Sequence, residues 1–342
     1  MSKHLVTGSS GFLGSAIVKK LHQLGHQVVT LDIIEDKEIS KISEFFKVDI
    51  SDDQVDFKKI LKNVKYIHHN AALVPLTKAG SNFYKANVLG TKNIIEHSIR
   101  ENVEHFSHMS SSAIFGKPKQ NENVNYYKYN PTGLYGKSKY LAEIEVNNNI
   151  NKFKSCSIIR PRPVVGKERL GIFQILFDWV EEGRRIPIIG SGRNKFQFAH
   201  LSDLVDVSIE TSLKNVSGYF NIGTDKFSTL GEDLNKSFQT IGSNSKVLPL
   251  PQSICTPALF ILDKINLSPL SSWHYLSYHW EFHYDLSETF DKLDWRPKYS
   301  NVEMICEAYE WYLQNKDFLQ KNQSSHRSIV KQKFLKLIKL LF

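Results

Sequence analysis

One stretch near the start of the chain, Val6 to Asp32, constrains the fold more than any other. It reads VTGSSGFLGSAIVKKLHQLGHQVVTLD. A short apolar run from Lys3 to Gly8 predicts a buried strand, and apolar residues then recur at helical spacing until Gly25. A second apolar run ends at Asp32 and predicts another strand. Strand, glycine turn, helix and strand together indicate one βαβ unit of a parallel sheet.

The glycines at the start of the predicted helix suit the binding of a dinucleotide. Gly8, Gly11 and Gly14 are spaced G-x-x-G-x-x-G. Glycines allow a backbone to approach a pyrophosphate closely, and its negative charge is favoured at a helix N-terminus. Asp32 can accept hydrogen bonds from an adenosine ribose and would repel a 2′-phosphate. The pattern therefore predicts NAD rather than NADP as the cofactor.

Composition and charge exclude several other classes of protein. The 342 residues are 41% hydrophobic and 23% charged, which is typical of a globular protein with a sizeable core. Three separated cysteines, and histidines without metal-ligand spacing, predict neither a disulfide framework nor a metal site. Of the net charge of +9, +6 falls within residues 318–342, so we expect no nucleic-acid groove. Without an apolar leader or a long apolar run, we expect a cytoplasmic location.

Strand and helix patterns alternate up to about Gly166 and predict an α/β fold with a doubly wound parallel sheet, the Rossmann type. We expect a third strand to end at Asp49–Ile50 and residues 82–100 to form one long helix. Residues 196–211 are expected to be a strand and a helix that return to the sheet. The predicted organisation is a Rossmann domain of residues 1–165 with 196–224, a smaller substrate domain of residues 166–195 and 225–317, and a basic amphipathic tail of residues 318–342.

Several motifs resemble those of the extended short-chain dehydrogenase/reductases, the NAD-dependent epimerase/dehydratase family. The resemblance lies in TGSSGFLG at residues 7–14, YGKSKYLAE at residues 135–143 and KLDWRPKYS at residues 292–300, and it covers about residues 3–315. The sequence RPRPVVG, residues 160–166, is similar to the 3β-hydroxysteroid dehydrogenase-like branch. The resemblance implies a Rossmann domain followed by a small C-terminal substrate domain.

The same resemblance implies a set of cofactor-binding residues. A D-[ILV] pair is expected beside the adenine, and an N-x-A-A-like turn and an asparagine-bearing helix near the rest of the cofactor. Without the resemblance, turn formation or helix capping would account for both asparagines. The residues implied are Gly8, Ser10, Gly11, Phe12, Leu13, Gly14, Asp32, Asp49, Ile50, Asn70, Ala71, Ala72, Asn87, Tyr135, Lys139 and Pro161.

Tyr135 and Lys139 are candidate catalytic residues. They are four apart on a predicted helix and therefore share one face. A free phenol has a pKa of about 10, and a nearby ammonium together with an oxidised nicotinamide would lower it. Tyr135 would then take the proton of a substrate hydroxyl while hydride leaves its carbon for NAD. The resemblance adds Ser111 as the hydroxyl that would bond the substrate oxygen and the phenol, with a register that could differ by one residue.

The substrate side departs from the family pattern. Family dehydratases carry an acidic pair where this chain has Ser112 and Ala113, which favours oxidation, reduction or epimerisation. An arginine that usually holds a nucleotide-sugar diphosphate is replaced by Phe196, and a frequent asparagine by Pro163. Trp273–Tyr284, rich in aromatic residues, would form either a core edge or a less polar pocket. Candidate replacements for the missing cation, each equally a surface residue, are Arg162, Arg184, Arg185 and Arg193.

The predicted function is that of a NAD-dependent oxidoreductase or epimerase acting on a secondary alcohol or ketone of a sugar nucleotide or related carbohydrate. One alternative is a 3β-hydroxysteroid dehydrogenase-like enzyme with a sterol-like or lipid-linked substrate. Another is a non-catalytic NAD-sensing protein, which would have no need of Ser111, Tyr135 and Lys139 together. In all three predicted functions the protein binds a small molecule.

The tail HRSIVKQKFLKLIKLLF has the pattern of a basic amphipathic helix. Wound as a helix, it places an apolar set of residues on one face and lysines on the other. Such a helix lies at a membrane surface, or it docks on the protein's own body or in a homodimer contact, and the pattern alone leaves these open. The apolar set is Val330, Phe334, Leu337, Ile338 and Leu341.

Overall fold

The computed structural model describes residues 2–75, 79–118, 129–169, 172–265, 268, 270 and 272–321. The strands are β1 (Lys3–Thr7), β2 (Gln27–Asp32), β3 (Glu44–Lys47), β4 (Tyr66–His69), β5 (His105–Met109), β6 (Ser155–Pro161), β7 (Val164–Val165), β8 (Ile186–Ile189), β9 (Ala199–His200), β10 (Gly218–Ile222) and β11 (Val247–Leu250). Seven of them form one sheet in the order β10-β6-β5-β4-β1-β2-β3, with every neighbouring pair parallel.

Helices connect the strands and cover the sheet. They are α1 (Phe12–Gln23), α2 (Lys37–Ser40), α3 (Phe57–Ile60), α4 (Asn82–Tyr84), α5 (Gly90–Arg100), α6 (Gly133–Asn147), α7 (Ile172–Glu181), α8 (Leu201–Leu213), α9 (Leu230–Thr240), α10 (Gln252–Lys264), α11 (Ser272–Ser277), α12 (Ser287–Lys292) and α13 (Asn301–Lys321). Within the described residues, no helix is long and apolar enough to cross a bilayer.

Both faces of the central sheet are buried, because successive residues of a strand point to opposite sides. Leu5 packs into a cluster with Phe106 on one face, whereas its neighbour Val6 packs with Ile17 of α1 on the other. Burial on both faces is the property of a doubly wound sheet. The α/β fold predicted from the sequence is confirmed.

The first βαβ unit matches its prediction closely. Helix α1 begins at Phe12, and its last turn is closed by Gly25, which adopts φ +78° and donates its N–H to the carbonyl of His22. A left-handed residue at this position suits glycine because it carries no Cβ. The chain then enters β2 and ends it at Asp32.

Three expectations about secondary structure were wrong in detail. Strand β3 ends at Lys47 rather than at Ile50, because the Asp49 carboxylate accepts the N–H and hydroxyl of Ser51 and forms a turn. Residues 82–100 are helical throughout, but a π-helical segment, Lys85–Leu89, interrupts the α-helix. Strand β9 pairs with β7 in a separate ladder, so only the following helix, α8, returns to the central sheet.

A separate hydrophobic core lies beyond the Rossmann sheet. It joins α7, α9 and α13, and it includes Phe177, Phe238 and Tyr309, with Phe196 and Phe198 packed among them. The ladder of β8 and β11 borders this core. We retain the division into Rossmann and substrate domains as a proposal that this core supports. Helix α13 extends to Lys321, and the remainder of the predicted tail, residues 322–342, lies outside the described residues.

Candidate active site and cofactor cleft

The candidate residues gather at the carboxyl ends of parallel strands. Gly8 follows β1, Asp32 ends β2, Asn70 follows β4, Ser111 follows β5 and Pro161 ends β6. The strand order reverses between β1 and β4, since β2 and β3 lie on one side and β5 and β6 on the other. Open α/β sheets bind their ligands in the crevice at this reversal.

The glycine turn after β1 is shaped for an anion at the start of α1. Gly8 has φ +67°, and a Cβ on it would lie 2.8 Å from the Ala71 backbone. A Cβ on Gly14 would lie 2.1 Å from the Gly8 carbonyl oxygen. Gly11 is the N-cap of α1, so the amides of Phe12, Leu13 and Gly14 have no intrahelical acceptor. This cradle fits the pyrophosphate of a dinucleotide.

Asp32 lies beside that turn with its carboxylate held by backbone donors. It is 7% exposed, and it accepts hydrogen bonds from the Ser10 N–H at 3.0 Å and the Ile34 N–H at 3.2 Å. A carboxylate fixed in this way can accept hydrogen bonds from a ribose diol at little entropic cost. The position fits NAD and opposes the extra phosphate of NADP.

The turn after β4 is fixed against β1. The Thr7 hydroxyl oxygen accepts the N–H groups of Asn70 and Ala71 at 3.2 and 3.1 Å. The Asn70 amide donates to the carbonyl of His68, so its side chain stabilises the turn itself. Asn70 and Ala71 therefore lie directly against Gly8, and Ala72 follows them in the same turn.

Asp49 and Ile50 lie beyond β3, on the side where the adenine is expected. Ile50 is 7% exposed and contacts α5 so closely that a Cβ on Gly90 would lie 2.7 Å from its side chain. The Asp49 carboxylate is engaged by Ser51. Ile50 therefore offers an apolar surface, and Asp49 shapes the turn that presents it.

Asn87 holds the site together rather than facing an open cleft. Its side-chain oxygen accepts the Leu73 N–H at 2.7 Å, and its amide donates to the Leu73 carbonyl and the Ser138 hydroxyl. These contacts tie the loop after β4 to α6. Through Ser138 they connect Asn87 to the helix that carries Tyr135 and Lys139, and the role of Asn87 in cofactor binding stays a prediction.

Ser111, Tyr135 and Lys139 converge where β5 and α6 meet. Tyr135 and Lys139 lie one turn apart on α6, and the Ser111 hydroxyl is close enough to the Tyr135 phenol to act on its pKa. Ser111 is the N-cap of a short 3₁₀ helix, and its hydroxyl oxygen accepts the Ala113 N–H at 3.1 Å. The Lys139 ammonium donates to the Met109 carbonyl at 2.5 Å.

Burial dominates the electrostatics of this group. It lowers the pKa of Lys139 to about 8, against the opposing attraction of Glu143, so the ammonium remains the main form at neutral pH. Burial also raises the pKa of the Tyr135 phenol, and the Ser111 hydroxyl and then Arg169 act to lower it. The phenol is therefore protonated at neutral pH, and the lowering of its pKa by Lys139 that the sequence predicted is not found. A phenol that holds its proton beside Ser111 can donate that proton to a bound oxygen.

The neighbouring serines have different environments. Ser110 is buried and its hydroxyl donates to the Glu143 carboxylate at 2.5 Å, and Glu143 in turn is paired with buried Arg160. Ser112 is also buried, with its hydroxyl beside Tyr284. Of the three serines, Ser111 is the one that the structure places beside Tyr135.

Two arginines beside the site have no ion pair within the described part of the chain. The buried Arg162 guanidinium lies 3.8 Å from the centre of the Phe282 ring, and its Nε donates to the Gln197 carbonyl. The Arg169 guanidinium lies 5.3 Å from the Phe12 ring, and its charge acts on Tyr135. Both therefore offer unneutralised positive charge near the candidate catalytic group.

Of the four arginines suggested by the sequence, Arg162 alone lies beside the site. Arg184, Arg185 and Arg193 are exposed, and Arg184 pairs with Glu182. Arg169 was missed, because its place depends on how the loop after β7 folds over α1. Its position three residues beyond Gly166 was the available clue.

The aromatic segment Trp273–Tyr284 packs partly in a core cluster and partly against the two arginines, and its role in a less polar pocket stays a prediction. Phe282 and Tyr284 are buried in a core cluster beneath the serine loop. Tyr278 instead is partly exposed and stacks on Phe196 at 5.1 Å between ring centres. It is close enough to Arg169 and Arg162 for their charges to act on the pKa of its phenol. Tyr278 thus lies beside Arg162 and Arg169, which form the cationic side of the site.

Comparison with known proteins agrees with this architecture. The model of the NAD dependent epimerase/dehydratase family matches residues 4–223. The chain is 36% identical over 338 residues to the uncharacterized protein y4nG of Sinorhizobium fredii, covering 98% of this chain and 85% of that protein. It is 30% identical over 242 residues to a putative UDP-glucose 4-epimerase of Methanocaldococcus jannaschii, covering 67% and 79%.

Solved structures show the same fold. A UDP-glucose 4-epimerase of Thermotoga maritima, determined with UDP-glucose, superposes with a TM-score of 0.75 at 22% identity, covering 92% of this chain and 99% of that one.

Other relatives carry different names. A sterol-4-alpha-carboxylate 3-dehydrogenase of Mus musculus is 28% identical over 209 residues, 59% of this chain and 57% of that protein. An N-acetyl-alpha-D-glucosaminyl-diphospho-ditrans,octacis-undecaprenol 4-epimerase of Escherichia coli O157:H7 is 30% identical over 143 residues, 41% of this chain and 42% of that protein. The family match and the shared fold confirm the resemblance found in the sequence and the dependence on NAD. The chain belongs to the NAD-dependent epimerase/dehydratase family.

Proposed function

We propose that the protein is a NAD-dependent epimerase or dehydrogenase that acts on a secondary alcohol of a sugar carrying a diphosphate. The observation that carries the proposal is the convergence of Ser111, Tyr135 and Lys139 at the mouth of a cleft shaped for NAD. When bound, NAD would supply the acceptor for hydride leaving the carbinol carbon.

The chain's own residues supply the proton chemistry. Tyr135 would accept the hydroxyl proton of the substrate through its phenolic oxygen, with Ser111 donating a hydrogen bond that steadies that oxygen. The Lys139 ammonium, held by the Met109 carbonyl, would stabilise the phenolate and bond the nicotinamide ribose. In an epimerase the same phenol returns the proton after the ketone has turned.

The cofactor cleft would use the residues implied by the family resemblance. Gly8, Gly11 and Gly14 with the first turn of α1 would hold the pyrophosphate, and Asp32 the adenosine ribose. Asp49, Ile50 and the turn formed by Asn70, Ala71 and Ala72 would line the adenine and phosphate sides. Pro161 would close the cleft at the end of β6, and Asn87 would act through α6.

The cationic side of the site favours a diphosphate over a neutral alcohol. Arg162 and Arg169 are unpaired among the described residues, and burial lowers the pKa of Arg162 to about 10, so it remains charged. A buried guanidinium without a carboxylate is costly unless an anion joins it. UDP-glucose is the ligand of the Thermotoga structure, and a UDP-sugar supplies such an anion.

A lipid-linked or sterol-like substrate is the second candidate. The observations that favour it are the aromatic surroundings of Arg162 and the names of the mouse and Escherichia coli relatives. A sugar diphosphate linked to a lipid would satisfy both the arginines and the aromatic residues. A protein that merely senses NAD, the third candidate, would not require the Ser111–Tyr135–Lys139 arrangement.

The test is incubation of the purified protein with NAD and either UDP-glucose or UDP-N-acetylglucosamine, followed by separation of epimers. We expect conversion to the 4-epimer, lost in Tyr135→Phe and retained in Tyr140→Phe, a matched change on the same helix. Steady release of NADH without epimer would select a dehydrogenase. Equal activity of the Tyr135→Phe and unmodified proteins would refute the site.

The cellular location of the protein and its contacts with membranes or with a second copy are also proposals. We infer a cytoplasmic protein that associates peripherally with membranes through residues 318–342, whose sequence carries six Lys or Arg and no acid. Docking of the same tail in a homodimer is the competing arrangement. The two arrangements are separated by sedimentation with anionic vesicles, in which the full chain is compared with a chain that ends at Asn322. If both proteins bind the vesicles equally and salt has no effect on binding, the tail has no membrane role.

A further inference from the structure

Helix α10 presents an apolar face to solvent. Ile254, Ile261 and Ile265 are 68%, 61% and 57% exposed, and the exposed Pro257 and Ala258 lie between them at helical spacing. The spacing i, i+3, i+4, i+7 and i+11 places all five on one side of the helix. Phe260, at the margin of this face, is 51% exposed.

This arrangement is the reverse of that expected for a helix of a globular protein, which buries its apolar side. The opposite side of α10 faces the protein: the Tyr275 hydroxyl of α11 donates to the Asp263 carboxylate at 3.2 Å, and β8 also contacts the helix. Asp263 lies on the side of the helix opposite the isoleucines, so this hydrogen bond favours their outward direction. A contiguous exposed apolar face of this kind marks an interaction surface.

The face lies next to the candidate active site through α11. Ser272, the first residue of α11, lies near Gly133 at the start of α6, the helix that carries Tyr135. His274 of α11 is close enough to Arg169 for the guanidinium to lower the pKa of the imidazole, although burial is the larger cause of that shift. One layer of helix thus separates the exposed isoleucines from the cationic side of the site.

We propose that the apolar face of α10 inserts into the surface of an anionic lipid bilayer and brings the site to a sugar diphosphate attached to a membrane lipid. This inference rests on the proposed function and narrows its substrate class. Charge favours a bilayer over a second copy of the chain, since Lys264 flanks the face and residues 318–342 add six cations without an acid. An apolar face flanked by basic charge is the pattern of a helix at a membrane interface.

The first test measures binding without requiring activity. The full chain is sedimented with vesicles of phosphatidylcholine alone and with vesicles that also contain phosphatidylglycerol. We expect binding to the anionic vesicles and about tenfold weaker binding for Ile261→Glu, because one buried isoleucine contributes roughly that factor. Leu24→Glu, a change to glutamate at a 49% exposed leucine that caps α1, is the matched control and should bind as the unmodified chain does. Equal binding of all three proteins would overturn the proposal.

The second test separates this inference from the proposed function. A polyprenyl-diphosphate-linked N-acetylglucosamine is presented in the same vesicles, and UDP-N-acetylglucosamine is presented in solution. We expect Ile261→Glu to lose turnover of the lipid-linked sugar by about tenfold relative to Leu24→Glu, with any turnover of the soluble sugar unchanged. A dimer that dissociates in Ile261→Glu, without an effect of vesicles, would assign the face to a second copy instead. Absence of turnover on both sugars, with vesicle binding intact, would refute the proposed function and leave the docking surface standing.

Discussion

Acidification should destabilise this protein through histidines buried in the central sheet. Five fully buried histidines occupy β1, β4 and β5, and the Nδ1 atom of His4 lies 3.1 Å from the Nε2 atom of His68. Two imidazoles at that distance share one proton and cannot both be cations at low cost. Burial lowers the pKa of three of them to about 3, and lowers that of the other two well below its usual value. The three are His4, His69 and His105, and the two are His68 and His108.

The size of the effect follows from proton linkage. The folded-state pKa of these groups lies below the unfolded value of 6.5, so their contribution to stability is complete above pH 6.5 and is lost as the pH falls toward 3. Between about pH 7.5 and about pH 5.5, the three histidines at about 3 together cost about 4 kcal/mol. Burial raises the pKa of Asp203 to about 7, which acts in the opposite direction and restores about 2 kcal/mol. A net loss of about 2 kcal/mol remains, before His68 and His108 add to it.

The assay is equilibrium urea unfolding, followed by tryptophan fluorescence at several pH values. A comparison of variants isolates the histidines, since Asp203 contributes equally to each protein. His105→Gln removes one titrating group, whose ring bonds Ser155 and Ser157, and should reduce the loss over this range by about 1 kcal/mol. The control is His22→Gln at an exposed position on α1. The reasoning is refuted if stability is unchanged at about pH 5.5, or if His105→Gln shows the same pH dependence as the unmodified chain.

Three further predictions concern the site. Asp32→Ala should weaken NAD binding by about tenfold or more and reduce the preference of the protein for NAD over NADP, both measured by titration of protein fluorescence. Tighter binding of NADP than of NAD to the unmodified chain would contradict the assignment of NAD as the cofactor. Lys139→Ala should impair both NAD binding and turnover, and unchanged binding would limit its role to the phenol. Arg169→Ala should raise the KM for a UDP-sugar by about tenfold or more and leave NAD binding nearly intact. Arg184→Ala, at an exposed position, should change neither quantity. Equal KM values for the two variants would show that Arg169 does not belong to the substrate site.

The features that sequence analysis predicted best are those that depend on local pattern. The turn of Gly8, helix α1 and the strand that ends at Asp32 follow from glycine placement and hydrophobic period, which act over a few residues. The end of β3 at Lys47 was missed because a side-chain contact, from Asp49 to Ser51, overrides the apolar pattern that continues past it.

The features that were missed depend on contacts between distant parts of the chain. The pairing of β9 with β7 could not be predicted, because the apolar pattern of a strand does not depend on which strand it pairs with. The contacts of Asn87 with Leu73 and Ser138 join distant segments, and the place of Arg169 depends on a loop folded over Phe12. The outward isoleucines of α10 could not be recognised from their spacing, because the same spacing predicts a buried face.

The most direct test of the account follows the hydrogen on the reacting carbon. A UDP-sugar labelled with deuterium at position 4 is incubated with the protein and NAD in ordinary water, and the label is located by mass spectrometry. Hydride transfer assisted by Tyr135 predicts that the deuterium stays on the 4-epimer, or is found in NADH if the enzyme is a dehydrogenase, and that Tyr135→Phe gives neither product. Loss of the deuterium to solvent during turnover, or full activity of Tyr135→Phe, would contradict the account.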